Sequence, residues 1–521
     1  MNFQLKSMLK FLIYMHILGT LDCARLLGIF PMPGRSHYLL AEKMMKGLAV
    51  AGYDVTFITP YKTKDVPQNV SFTDIVIEGV ADTYNKKLAE IDLYVDSNRN
   101  SYQKMVSYTE LFIDWINKTL HHPKVRALMQ PGNKFDAVLM EQFFDDALKY
   151  FAHHFKCPLI LTTSAGPLWF TSTMVGQPSP PSYVPHVYFN GQVLEGMSFF
   201  QRMSNLYSYI VHYAFDYWHL IPLQDKVLHE AFPDAPYVTD LNNYTAIVLS
   251  SSHLSILDPM PLVPNLVEVG GYHIDAPKKL PQDMQQFLDN ATEGVIYFSM
   301  GTNIKSKDMP EEKKLALLNA FSRLKQKVLW KFEEENMIKI PKNMLIKNWM
   351  PQRDILAHPN VKLFITHGGF LSTTETIFHG KPVLVIPVFA DQFLNADRAV
   401  QKGYGLKLPY DDPNFNEETI FKLLKELLDN PKYMDNAQLR SRIFHDRPLK
   451  PMEAVVYWVN YTLRYHGAKH LMVAGANQPF YQYLMLDVVA FHVAVAWLGL
   501  YLLKLTITKL GDTRKTKIKI H

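Results

Sequence analysis

The sequence predicts an α/β protein of two doubly wound domains that face a cleft, followed by a C-terminal transmembrane helix. Three observations carry that expectation. A chain of 521 residues exceeds what one hydrophobic core holds, so two domains are expected. Each half opens on a strand–helix–strand pattern, which signals a parallel sheet. Near the end, "VVAFHVAVAWLGLYLLKLTI" runs from Val488 to Ile507, about the length a helix needs to cross a bilayer core.

The elements follow in order. In "MNFQLKSMLKFLIYMHILGTLDCA", Lys6 and Lys10 precede an apolar run from Phe11 to Leu18, and small residues follow. That is the layout of a secretory signal peptide over residues 1–24. The other reading, a first buried strand, is weaker because a better strand, "RLLGIF", comes next. That strand opens a first domain, 25–275. A loop "MPGRSH", a helix "YLLAEKMMKGLAVAG" and a strand "DVTFITP" continue it, and "FDAVLME", "DDALKYFAHHF" and "PLILTTS" repeat the pattern. From Tyr183 to Leu223 the chain is rich in Tyr, Phe, Met and Trp without clean periodicity. Helical packing, an apolar ligand wall and a membrane-facing surface all fit there.

The Pro-rich "LDPMPLVPNLVEVGGYHIDAPKKLP" has the character of an interdomain linker. A second domain, 276–480, then restarts the pattern: "GVIYFSMG", "PEEKKLALLNAFSRLKQ", "KVLWKF", "MLIKNW", "VKLFIT", "STTETIFHG" and "KPVLVIPV". "NEETIFKLLKELLDN" adds an amphipathic helix, and closing helices follow. Two such sheets bind ligands at the carboxyl ends of their strands.

In the apolar stretch 488–507, His492 is interior and Lys504 can snorkel to the interface. A buried core helix is the other reading. The tail at 508–521, "TKLGDTRKTKIKIH", holds five Lys/Arg and one Asp, which places it in the cytosol by the positive-inside rule. The signal peptide puts the rest on the other side, in the endoplasmic-reticulum lumen. Sequons at Asn69, Asn117, Asn243, Asn290 and Asn460 agree, all lying before the span. The closing "KIKIH" resembles a dilysine retrieval signal, or is a generic basic flank.

Composition excludes several classes. Hydrophobic residues are 48% and charged residues 20%, a globular balance whose apolar excess the two ends explain. The net charge of +5 is modest, and no Lys/Arg-dense face argues for nucleic acid. Cys23 and Cys157 are the only cysteines, too few for a disulfide framework or a thiolate zinc cluster.

One stretch carries chemistry: "FITHGGFLSTTETIFHG", Phe364 to Gly380. A strand that enters a helix through Gly-Gly leaves backbone N–H groups unpaired at the helix start, and these donors with the helix dipole make an anion site. The glycines admit an oxyanion close to the main chain. Ser372 and Thr373 add hydroxyls, and His367 adds a ring donor. This suits a diphosphate. Glu375, deeper in the helix, suits a ribose diol. An ordinary Gly turn with a Ser/Thr cap is the other reading of this stretch alone.

From Trp349 to Gln392, "WMPQRDILAHPNVKLFITHGGFLSTTETIFHGKPVLVIPVFADQ" resembles, nearly position by position, the signature of the UDP-glycosyltransferases. The resemblance extends to the signal peptide, twin α/β halves, single span and dilysine tail. It implies the GT-B fold, two Rossmann-like domains across a cleft. By resemblance, Trp349 stacks on uracil and Gln352 lies near base and ribose. His367, Gly368 and Gly369 form the diphosphate cradle with Ser372 alongside, and Glu375 accepts from the ribose. Asp391 and Gln392 grip sugar hydroxyls, and Ser299 and Gly301 form a second loop near the phosphates. Many relatives carry Asn two places after the second glycine. This chain has Leu371, so a phosphate contact is missing there or falls to Ser372.

Sugar transfer needs a base at the acceptor hydroxyl. On residues alone, His37 is an ordinary loop histidine; the resemblance makes the His of such a "P-x-x-S-H" segment the base. Its partner carboxylate in relatives ends an "FD-x-x-x-x-D" strand. Glu141 holds that position here, with Asp145 and Asp146 as alternatives one turn later. No D-x-D motif occurs, so no metal or other cofactor is expected, and the UDP-sugar is a co-substrate.

The resemblance therefore implies an inverting enzyme. It would move a hexose from a UDP-sugar to a hydroxyl of a small lipophilic acceptor, in detoxification, at the endoplasmic-reticulum membrane. "EQFFDD" looks like invertebrate, insect-like members, which makes UDP-glucose the first donor and UDP-glucuronic acid the second. The rival is a catalytically silent UDP-sugar-binding protein, motivated by Glu141 and Leu371. A sugar-nucleotide epimerase is a second, disfavoured by the membrane topology. Expected partners are the donor, the acceptor and the bilayer, with no nucleic acid and with room for an oligomer.

Overall fold

Continuous apolar runs make the framework. β1 (Arg25–Ile29), β4 (Ala137–Glu141), β5 (Leu159–Thr163) and β6 (Thr245–Ser250) are buried almost throughout. So are β8 (Val295–Ser299) and β11 (Val361–Thr366). Parallel strands covered by helices on both faces have no solvent side, so they show runs rather than alternation. The computed structural model describes residues 23–518 apart from 91–93, 95–100, 190, 192–195 and 335–339. Residues 1–22, with most of the expected signal peptide, lie outside the described residues.

With β2 (Asp54–Thr59), β3 (Phe72–Val76) and β7 (Leu266–Glu268), the first sheet has seven strands in the order β3-β2-β1-β4-β5-β6-β7. The second has six, β10-β9-β8-β11-β12-β13, with β9 at Lys327–Lys331, β10 at Met344–Lys347, β12 at Val383–Val385 and β13 at Gly405–Lys407. Every pairing is parallel. Each sheet reverses its winding beside its first strand, between β1 and β4 and between β8 and β11. Crevices at such reversals are where open α/β sheets bind ligands.

Three details differ from the sequence expectations. The helix after β1 spans Arg35–Val50 and begins three residues before Tyr38, because Gly34 takes the extended N-cap position. His37 therefore lies in a helical first turn, not in a loop. The Pro-rich linker contains β7, an edge strand formed by its "LVE" once the prolines at 259, 261 and 264 have passed. "KPVLVIPV" pairs only over Val383–Val385, since Pro382 and Pro387 cannot donate to a ladder.

The aromatic stretch forms a helix, Phe199–Phe215, that passes through a π turn at Asp216–Leu220 into Ile221–Ala231. Pro222 lacks the N–H for a regular junction there. Helix Pro451–Arg464 packs back on the first half: Val455 and Val459 join the apolar cluster around β1 and β2, and Tyr53 donates to Asn460 Oδ1 at 2.6 Å. The chain has two compact units that divide after Met472. In the second, residues 486–510 of helix Leu486–Ile518 are long and apolar enough to cross a membrane.

Candidate active site

The first sheet places a base beside a carboxylate. His37 follows β1 and Glu141 ends the adjacent β4, so both stand where the winding reverses. His37 Nδ1 lies 2.7 Å from Glu141 Oε1. The Glu141 side chain is 6% exposed and the His37 ring 14%, so the pair is shielded yet reachable. A Cβ on Gly34 would meet His37 Cδ2 at 2.9 Å, so glycine makes room for the ring. Phe143 packs against the ring at 4.6 Å between centroids. With Nδ1 donating to Glu141, Nε2 keeps a lone pair for a proton. The aspartates go elsewhere: Asp146 pairs with Lys149 Nζ at 2.6 Å, and Asp145 accepts from the Phe143 amide at 3.0 Å. Burial holds Asp145 well above the usual carboxylate range.

The second sheet places a turn built for an anion. Ser299 and Thr366 are register partners at the ends of β8 and β11. Gly301 and Gly368 have φ of +88° and +86°, and a Cβ on Gly301 would stand 2.6 Å from the His367 ring. Gly369 begins helix Phe370–His379 without a side-chain cap, which leaves first-turn amides for a ligand. Burial pushes His367 down to about 4, so its ring is neutral, and its buried Nδ1 has no hydrogen-bond partner among the described residues. Ser299 Oγ accepts from the Gly301 amide at 3.2 Å, while Lys331 Nζ donates to the Gly301 carbonyl at 2.8 Å. Asn395 Nδ2 donates to the Gly368 carbonyl at 2.9 Å and fixes the turn from the next helix.

Around that turn the other expected residues gather. Gln352 Nε2 donates to Ser372 Oγ at 3.0 Å and to Glu375 Oε2 at 2.7 Å. Burial raises Glu375 to about 7. His273 Nε2 lies 3.9 Å from Glu375 Oε1; burial lowers this ring to about 3, and neither nitrogen has a hydrogen-bond partner among the described residues. Trp349 is 64% exposed, an open face for stacking. Asp391 is raised to about 6, chiefly by burial, and Asn395 Nδ2 donates to its Oδ2 at 2.9 Å. Gln392 Oε1 accepts from the Val388 and Phe389 amides at 2.8 and 3.1 Å, which leaves its Nε2 to donate. Ala390, just before them, holds φ of +53°, a backbone conformation kept for this corner. Leu371 packs against the first half's apolar cluster, which accounts for an apolar residue at that position.

The two halves meet here. A cavity of about 40 Å³ is lined by Leu168, Pro185 and Leu257 on one side and by Phe370, Asp391 and Asn395 on the other. Asp391 lies within electrostatic range of His37. Linker residue Asp258 pairs with Arg398 and Lys402, both at 2.9 Å, and so anchors the helix that carries Gln392. Sequence reading missed Lys331, Asn395 and His273. Asn395 was accessible in principle, one helical turn after Asp391; the other two have no local signal. The five sequon asparagines are all exposed.

A family model described as "UDP-glucoronosyl and UDP-glucosyl transferase" matches residues 27–513. The chain is 34% identical over 473 residues to UDP-glycosyltransferase UGT5 of Dactylopius coccus, covering 90% of this chain and 89% of that one. It is 30% identical over 508 residues to UDP-glucuronosyltransferase 2B13 of Oryctolagus cuniculus, covering 92% of each. The fold is similar to the glycotransferase of kitacinnamycin (TM-score 0.58, 14% identity, 85% of this chain and 98% of that one). It is also similar to a UDP-glucosyltransferase from Polygonum tinctorium (TM-score 0.56, 16% identity, 85% and 98%). These neighbours have the GT-B architecture expected from the sequence.

Proposed function

Because the chain belongs to the UDP-glucuronosyl and UDP-glucosyl transferase family, and so is an enzyme that takes sugar from a UDP-sugar, we propose that it is an inverting glucosyltransferase whose base is His37. The observation that carries this reading is the 2.7 Å contact between His37 and Glu141 at the winding reversal of the first sheet. The acceptor hydroxyl gives its proton to His37 Nε2 as its oxygen bonds to the anomeric carbon. The bond from that carbon to the diphosphate oxygen breaks on the opposite face, and UDP leaves with the electron pair. Glu141 stabilises the imidazolium. First-turn amides at Gly369 and neighbours hold the charge that develops on the diphosphate. The product is the β-glycoside. The formed dyad weighs against a silent binding protein.

Glucose is favoured over glucuronic acid because a uronate needs a free cation near Asp391. Arg398 near it is already committed to Asp258 at 2.9 Å. Incubating the protein with UDP-glucose and with UDP-glucuronic acid against a panel of phenols tests this. Acceptor-dependent UDP release with the first donor is expected. Faster release with the second would overturn the donor assignment, and release with neither would favour the silent reading.

Donor binding should depend on pH. Glu375 titrates at about 7 and Asp391 at about 6 in the free protein, both raised by burial. Hydroxyls of ribose and sugar favour the ionised carboxylates, so binding releases protons when the pH lies below those values. UDP-glucose has no group that titrates in this range. Its affinity should therefore fall by up to about tenfold per pH unit between 7 and 6, and by up to about 100-fold per unit below 6, where both groups must give up a proton. Titration calorimetry in two buffers should record the protons, and Glu375→Gln should remove the upper step. A flat profile in the native protein would take Glu375 out of this role.

The helix at 486–510 and the exposed sequons support a single-pass anchor in the endoplasmic-reticulum membrane, the catalytic part lumenal and the tail cytosolic. Endoglycosidase treatment of the expressed chain reads that orientation: an unchanged mass would argue against it.

A further inference from the structure

A chain of ring contacts leads from the dyad into an aromatic cluster. It runs from His37 to Phe143 (4.6 Å), to Phe144 (5.1 Å) and to Trp169 (6.0 Å). Trp169 packs on His186 at 4.7 Å and on His212 at 5.0 Å, and those two rings lie 4.4 Å apart. Tyr188 stacks on His212 at 4.9 Å with the planes 18° apart. Val184, Pro185 and Val187, which flank His186 in the chain, line the cavity together with Asp391 and Asn395, so the cluster borders the expected sugar end of the site.

Three buried polar atoms in this cluster have no hydrogen-bond partner among the described residues: His186 Nε2, His212 Nε2 and Asp216 Oδ1. Their neighbours assign each a role. His186 Nδ1 accepts from the Tyr188 amide at 3.3 Å, so its Nε2 carries the proton. His212 Nδ1 donates to the Ser208 carbonyl at 2.7 Å, so its Nε2 carries the lone pair. Burial keeps both rings neutral. Trp169 Nε1 donates to Asp216 Oδ2 at 2.6 Å, and burial raises this carboxyl to about 8, which leaves the proton on Oδ1. The cluster therefore offers two donors and one acceptor. A hydroxyl has one donor and two lone pairs, the complementary set. A carbonyl or ether oxygen would leave His212 unpaired, and an unpaired buried polar atom is costly.

We propose that His186, His212 and Asp216 form a polar subsite for the acceptor, which is a planar aromatic bearing a second hydroxyl remote from the one that takes the sugar. This rests on the transferase reading above and names its acceptor class. The three side chains select and orient the acceptor and take no part in proton transfer.

2-Naphthol and 2,6-dihydroxynaphthalene are a matched pair that differ by the remote hydroxyl. The full chain in membranes, with UDP-glucose, should show kcat/KM at least about tenfold higher for the diol, beyond the twofold that its two equivalent hydroxyls give. His212→Phe and His186→Phe keep an aromatic ring in the cluster. Each should bring the ratio close to two and leave UDP affinity within about threefold of native. Binding of the two naphthols to the UDP-loaded protein, read by quenching of tryptophan fluorescence, gives the same comparison without turnover. A ratio near two in the native chain overturns the proposal. So does an unchanged ratio in both variants, which would mean that ordered water satisfies these atoms. Preferential binding of the diol without turnover of either compound would overturn the transferase reading and keep the subsite. If neither variant folds, the native ratio still decides.

Discussion

His37→Ala should leave UDP-glucose binding nearly intact and lower turnover about 10²–10⁴-fold, the usual contribution of a general base. His37 is half of the dyad and bonds to Glu141 rather than to the Gly368 turn, so the donor site keeps its shape. Titration calorimetry reads the first quantity and acceptor-dependent UDP release the second. Glu141→Gln should be comparably damaging for a different reason. Glu141 accepts from His37 Nδ1 at 2.7 Å and so keeps the lone pair on Nε2. A glutamine amide can donate to Nδ1 instead, which moves the proton to Nε2 and removes the base. Turnover equal to native in His37→Ala would end the assignment. Native turnover in Glu141→Gln alone would leave His37 as the base and take away its partner.

Gly368→Ala should raise KM for the UDP-sugar on the order of 100-fold, through two effects that add. The φ of +86° is strained for any residue with a Cβ, and the new methyl would stand 2.6 Å from Val385 Cγ1 and 3.2 Å from the Gln392 carbonyl. Relief of that clash moves the turn that Asn395 holds by its carbonyl, and with it the amides that face the diphosphate. Thermal unfolding with and without UDP separates loss of the site from loss of the fold. A variant that unfolds like native without UDP and has lost the stabilisation by UDP is the expected result. Full UDP stabilisation would remove the turn from donor binding.

Much of the site was legible. β1, β4, β8 and β11 were visible as apolar runs because strands buried on both faces need them. The Gly368 turn was visible because positive φ so strongly favours glycine. Glu141 was visible at the end of its strand, while His37 stood out only through the resemblance, and its helical setting was not visible, since "RSH" carries no apolar face. Leu371 stood out only as a departure. Its partner is an apolar cluster from the other half of the chain.

By itself, the sequence determined where strands end, which turns must be glycine and which side chains stand at those ends. Each of these depends on neighbours a few residues away. Only the tertiary structure decided that Glu141, and not Asp145 or Asp146, meets His37 across 104 residues. It alone brought His186, His212 and Asp216 into one cluster with unpaired atoms. Such meetings follow from strand order and helix packing, and local periodicity records that a side chain is buried without recording what it is buried against.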